Sequence, residues 1–289
     1  MNAVDLPLRE VLSGRISVAR QALQQCGMLE SIRQITFSAV ADTTSSRIAQ
    51  DLECLGLEQL HNLVTAPQAS TIRTKLETDL KSITTKMTLA FCELLPRQGQ
   101  PIYLGKHFGV RIMLPEGIVA VHRAALEDKI GFMLPHDLHM DSWYNTGVNS
   151  INLWMAIGRV RRGNGLLIYP GLYRQKIQRQ GSSIDPDTPV GKPVNFEMEP
   201  GDVLVFAGDH LHASEPNTTN ETRYVLTKRI SLGAPRYSLH GNSWVPYYDT
   251  RLLGTALEPL ASLRARFSLS YARHVLRTAG RVLTSQRRS

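Results

Sequence analysis

The chain has 289 residues, 42% of them hydrophobic and 20% charged, and a formal net charge of +8. Such proportions exclude intrinsic disorder, and the length suits one large domain or two small ones with a sizeable core. The charge is unevenly placed: residues 251–289 hold eight arginines and one acid, Glu258, so the first 250 residues are nearly neutral and nucleic-acid binding by the body of the protein is not expected. No apolar run approaches the roughly 20 residues that a membrane span requires, and the N-terminal stretch lacks the apolar region of a secretory signal. Cys26, Cys54 and Cys92 are widely spaced and fit a reducing compartment without a disulfide framework. The expected location is cytoplasmic.

The first hundred residues read as helical. Ile16 to Ile35 is amphipathic, interrupted only by Gly27. After Pro67, Ile72, Leu76, Leu80 and Ile83 recur at helical spacing, with Arg73, Lys75, Glu77, Asp79 and Lys81 on the other face. From about Pro101 the texture changes to short apolar runs separated by turn signals. The runs at 118–122, 151–157, 165–170, 202–207 and 223–232 have strand length and β-forming residues. The polar stretch from Leu172 to Pro193 reads as a long loop of the kind that forms lids or binding elements. Residues 259 onward read as an amphipathic, arginine-rich helix, packed on the body or contacting a membrane surface or a subunit. The expected fold is mainly β with flanking α: a double-sheet jelly roll, or an antiparallel barrel, backed by N-terminal helices. It is expected as one domain over 1–289, with a helical part at 1–100, a β core at 101–235 and a basic segment at 236–289.

Chemistry concentrates in three places. In His139-Met140-Asp141, residues i and i+2 of an extended segment point to one side and offer a nitrogen and an oxygen to one ion. His212 stands at the end of the strand-like run DVLVFAGDHLH. Across paired strands it can complete a two-histidine, one-carboxylate face, the ligand set of non-haem Fe(II) oxygenases. Arg223 opens the last strand-like run, where a buried guanidinium can grip a carboxylate through two hydrogen bonds.

The joint spacing is more specific than any one piece. His212, Ser214 and Asn217 followed by Arg223, together with His139 and Asp141, resemble the phytanoyl-CoA dioxygenase family of Fe(II)/2-oxoglutarate oxygenases. The resemblance runs from about Asp51 to Leu232 and is strongest from His139 to Arg223. It implies a double-stranded β-helix fold, with Fe(II) held by His139, Asp141 and His212. Arg223 and Ser214 would bind 2-oxoglutarate, with Trp154 and its face-mate Asn152 lining the same pocket and Lys81 or Lys86 reaching toward it. O₂ is the further cosubstrate. The implied reaction oxidises a small organic substrate, in a biosynthetic tailoring step, while 2-oxoglutarate becomes succinate and CO₂. Halogenating relatives carry a small residue in place of the carboxylate, so Asp141 implies hydroxylation or a related oxidation such as desaturation or ring closure. His210 as distal ligand would put Ser214 and Arg223 out of spacing. Arg123, His136, Tyr144, Tyr173 and Trp244 are candidate substrate residues. His122 is either a pocket or a core residue, and Trp244, Tyr247 and Tyr248 either pack across the barrel or close the pocket. Two other functions fit parts of the sequence: a jelly-roll protein without oxygenase activity, which would not need Arg223, and a membrane- or polyanion-associated module led by the basic tail.

Overall fold

In a computed structural model that describes residues 8–94, 99–105, 109–144, 146–180, 183–185, 187–237 and 247–261, the N-terminal part is helical apart from one short strand. It runs α1 (Leu8–Val11), β1 (Ser17–Ala19), α2 (Ala22–Gln25), α3 (Met28–Thr43), α4 (Ser46–Leu55), α5 (Leu60–Leu63) and α6 (Ala66–Leu94). After it come β2 (Ile102–Gly105), β3 (Gly109–Met113), α7 (Glu116–Val121), α8 (Arg123–Leu126), β4 (Ser150–Ala156) and β5 (Leu166–Tyr169). The remaining strands are β6 (Arg179–Gln180), β7 (Ser183–Ile184), β8 (Val203–Ala207), β9 (Leu211–Ser214), β10 (Arg223–Leu232) and β11 (Tyr247–Asp249).

Two segments differ from the sequence expectation. The amphipathic stretch from Ile16 is not one helix: Gln21 (φ 53°) and Gly27 (φ 68°) adopt left-handed backbone, and residues 17–19 pair antiparallel with β8. The apolar run at 118–122 is α7 rather than a strand, because Pro115 presets the first turn and its carbonyl accepts from the Ile118 and Val119 N–H groups. Val119 is buried there while Val121 is 80% exposed. Loop 172–193 contains the small β6–β7 hairpin. The segment beyond Ala261 lies outside the described residues, as does Trp244.

The main sheet is antiparallel, in the order β1-β8-β4-β10-β2-β11, with β3 also on β10. A second sheet, β5-β9, is extended by bridges between His139 and His212 and between Ile168 and Val194. Strand alternation assigns the two faces of the main sheet. Ile151, Leu153, Met155, Val203, Val205, Tyr224 and Leu226 join the helices in one buried cluster. Trp154, Ala156, Leu204, Phe206 and Val225 pack against Leu166 and Ile168 of the small sheet in another. With both faces covered, β4 and β8 are buried at every position, and the two polar side chains of β4, Ser150 and Asn152, are hydrogen-bonded to Tyr247 and Asp141. The Tyr224 hydroxyl meets the Thr36 hydroxyl at 2.9 Å and ties β10 to α3.

His210 lies in the turn between β8 and β9, stacked on Tyr173 with ring centroids 4.3 Å apart. Its ring nitrogens face the Ala207 and Gly14 carbonyls, both at 3.2 Å. Burial outweighs these carbonyls and pushes its pKa down to about 4. The folded state therefore keeps this ring neutral, and stability falls as the pH drops below the ordinary histidine pKa of about 6.5 and toward 4. Between pH 7 and pH 5 we expect His210 to account for a loss of about 2 kcal/mol of unfolding free energy. Urea unfolding of wild type and His210→Phe at both pH values reads this as the difference between their pH dependences; equal dependences would contradict it.

Candidate metal centre between the two sheets

His139, Asp141 and His212 each offer one ligand atom, and the three atoms lie within 4.8 Å of one another. All three residues are buried. The fold brings them together through backbone pairing. The N–H groups of His139 and His212 each donate to the other's carbonyl at 2.9 Å, and the Asp141 N–H donates to the Gly208 carbonyl at 3.0 Å. The expected continuous run to His212 is broken by the turn at Gly208, which moves the chain from the main sheet to the small one. His212 thus faces His139 across the gap.

Ring orientation is set by carbonyls, which can only accept. Nδ1–H of His139 donates to the Asp137 carbonyl at 2.6 Å and Nδ1–H of His212 to the His210 carbonyl at 2.8 Å. Both Nε2 lone pairs are thereby left for a metal, the arrangement by which outer partners orient metal-binding histidines. Burial and mutual repulsion push His139 well below the ordinary histidine range, against the pull of Asp141; burial likewise lowers His212. Burial alone would raise the Asp141 carboxyl, but Arg229, His212 and His139 outweigh it and hold it well below the usual carboxylate range. Two neutral imidazoles and one ionised carboxylate are the protonation states that a divalent ion needs, so the donor set fits Fe(II).

Two chambers with shared wall residues adjoin this trio. The outer one is a cavity of about 320 Å³ whose wall includes Glu77, Arg111, Phe132, His136, Tyr144 and Arg229. The inner one, about 20 Å³, is lined by Asn152, Trp154, Leu166, Phe206, His212 and Ser214 among others. Arg111, His136, His139, Asp141, Thr227 and Arg229 border both.

Most of the residues expected from sequence meet here. Trp154 and Ser214 line the inner chamber. Asn152 also lines it and donates from Nδ2 to Asp141 Oδ2. Arg223, 1% exposed, does not itself line the chamber but lies against Trp154, its Cζ 5.5 Å from the indole ring. Its Nη1 donates to the Asn164 and Gly165 carbonyls at 2.9 and 2.8 Å, and its Nε has no partner among the described residues. Burial and the nearby Arg111 push Arg223 down to about 9, with Glu215 opposing, so it stays cationic at neutral pH. His136 stacks on His139 with centroids 3.9 Å apart, and Tyr144 meets both rings edge-on.

Others go elsewhere. Tyr173 donates from its hydroxyl to the Leu12 carbonyl at 2.8 Å and packs on His210, outside both chambers. Arg123 borders a separate groove beside α7 and α8. Lys81 and Lys86 are exposed and line neither chamber, and His122 lines neither. The Tyr247 hydroxyl meets Ser150 Oγ at 2.6 Å in the sheet interior.

Sequence reasoning missed Arg229 and Arg111. Arg229 donates from Nη2 to Asp141 Oδ1 at 2.8 Å and from Nε to Oδ2 at 3.4 Å. Two-residue alternation from Arg223 reaches it, so its position was readable. Arg111 stands opposite Val225 on β3, and only that non-local register reveals it.

Residues 119–225 match the model of the phytanoyl-CoA dioxygenase family. No curated protein sequence matches the chain. Among solved structures, the non-heme alpha ketoglutarate dependent epimerase SnoN from nogalamycin biosynthesis is 17% identical at a TM-score of 0.39, with 54% of this chain and 59% of that one covered. This chain thus spans about six tenths of SnoN's length. The non-heme monooxygenase ThoJ is 15% identical at a TM-score of 0.39, covering 87% of this chain and 92% of that one. EctD from S. alaskensis is 16% identical at a TM-score of 0.40, covering 68% and 63%.

Proposed function

From the phytanoyl-CoA dioxygenase match over residues 119–225, we infer that the protein is an Fe(II)/2-oxoglutarate-dependent oxygenase that hydroxylates a C–H bond of a small organic substrate. The observation that carries this reading is the buried trio His139, Asp141 and His212, whose imidazole Nδ1–H groups are spent on carbonyls while both Nε2 atoms remain for a metal. In the bound state, iron supplies the activation of O₂, coupled to conversion of 2-oxoglutarate into succinate and CO₂. His139, Asp141 and His212 would hold the ion. Asn152 and Arg229 fix both carboxylate oxygens of Asp141. Arg223 takes the far carboxylate of 2-oxoglutarate through its unused Nε–Nη2 edge, assisted by Ser214, and the Trp154 ring makes room at the chamber wall. The two facing sheets serve as a double-stranded β-helix.

Hydroxylation is favoured over halogenation because Asp141 would supply the carboxylate ligand that halogenating relatives replace with a small residue. Biosynthetic tailoring of a small molecule is the proposed setting. The test is anaerobic titration of the Fe(II)-loaded protein with 2-oxoglutarate, followed by exposure to O₂. We expect a one-to-one Fe(II) complex, a charge-transfer absorption on addition of 2-oxoglutarate, and succinate release with O₂. Absence of both the absorption and the succinate would refute the oxygenase reading.

A further inference from the structure

The outer chamber carries an unbalanced charge. Of its charged wall residues, Glu77 pairs with Arg73 at 2.9 Å and Asp141 with Arg229 at 2.8 Å. Arg111 has no carboxylate partner among the described residues. Its only hydrogen bond among them runs from Nη1 to the Gly131 carbonyl, and its buried Nε has no partner. Gly131 presents that carbonyl from left-handed backbone (φ 77°), where a Cβ would stand 2.8 Å from the His136 ring and 3.3 Å from Arg111 Nη1. The guanidinium is thereby held by one end, which leaves the Nε–Nη2 edge, the side that receives an oxyanion through two parallel hydrogen bonds. Burial and Arg229 push Arg111 down to about 10, with Asp141 opposing, so it remains protonated at neutral pH. Ile130, Phe132 and Tyr144 give the same chamber an apolar flank.

We propose that Arg111 is the substrate-recognition residue of the outer chamber, and that the substrate is an organic oxyanion, a carboxylate or a phosphate, with an apolar body lying along Ile130, Phe132 and Tyr144. This rests on the oxygenase reading, since it takes the inner chamber for 2-oxoglutarate and the outer one for substrate.

The experiment uses the full chain loaded with Fe(II) and 2-oxoglutarate without O₂, titrated calorimetrically with 4-phenylbutyrate, 3-phenylpropylphosphonate and the neutral 4-phenylbutanamide. Wild type should bind at least one of the two anions about tenfold more tightly than the amide, as a charge-assisted pair predicts. The preferred anion distinguishes carboxylate from phosphate. Arg111→Gln should abolish the preference and Arg111→Lys retain part of it, and because Arg111 also borders the inner chamber, 2-oxoglutarate affinity should change several-fold less than anion affinity in both. Should Arg111→Gln fail to fold, Arg111→Lys and the wild-type anion-to-amide ratio still decide. The proposal is overturned by equal binding of acid and amide, by no anion binding to the loaded protein, or by an Arg111 variant that loses 2-oxoglutarate instead. Failure of wild type to bind 2-oxoglutarate would strike the oxygenase reading itself.

Discussion

His212→Ala should leave a folded protein that binds no stoichiometric Fe(II) and releases succinate at least about a thousandfold more slowly than wild type. The substitution removes one of three ligands and leaves the backbone bridge between residues 139 and 212 in place, so two ligands remain without the third that completes the set. Metal content by atomic absorption and succinate release, beside a circular dichroism spectrum showing retained structure, make the measurement. His210→Phe is the control, because that ring lies outside both chambers against Tyr173. Retained iron in His212→Ala, or lost iron in folded His210→Phe, would reassign the distal ligand.

The second large effect concerns the cosubstrate. Arg223→Met should raise the dissociation constant for 2-oxoglutarate about a hundredfold while leaving Fe(II) affinity unchanged, since truncating one side of a buried charge pair costs roughly 2–5 kcal/mol. Methionine fills much of the volume and keeps the strand intact, so the loss reports the guanidinium rather than a collapsed wall. Anaerobic titration of the charge-transfer absorption reads the constant directly. A change of less than threefold would move cosubstrate binding to another residue.

How far these sites could be read from sequence follows from which contacts are local. His139 and Asp141 sit two apart, and Ser214 and Arg223 sit at short fixed distances from His212, so the metal trio and its companions were visible as spacing. Alternation along β4 placed Asn152 on the face of Trp154, and the same alternation along β10 could have reached Arg229 from Arg223. Pairing between distant segments left no such trace. Arg111 enters the cavity wall because β3 is registered against β10, and Tyr173 is drawn away by the Leu12 carbonyl and the His210 ring. The run at 118–122 shows the opposite failure: its β-branched residues favour a strand, but Pro115 starts a helix there. Tertiary context outweighed residue preference.

On β10, Arg223 and Arg229 lie on the same face, six positions apart, which at ~3.3 Å per residue is ~20 Å. The proposed cosubstrate anchor and the residue that steadies Asp141 are therefore two marks on one ruler. Because β10 is bonded to β4 on one side and to β2 and β3 on the other, a slip of one residue would turn both guanidiniums into the helical layer at once. Coupled turnover is then a yes-or-no report on the alignment of a single strand, and partial misalignment has no half-active form.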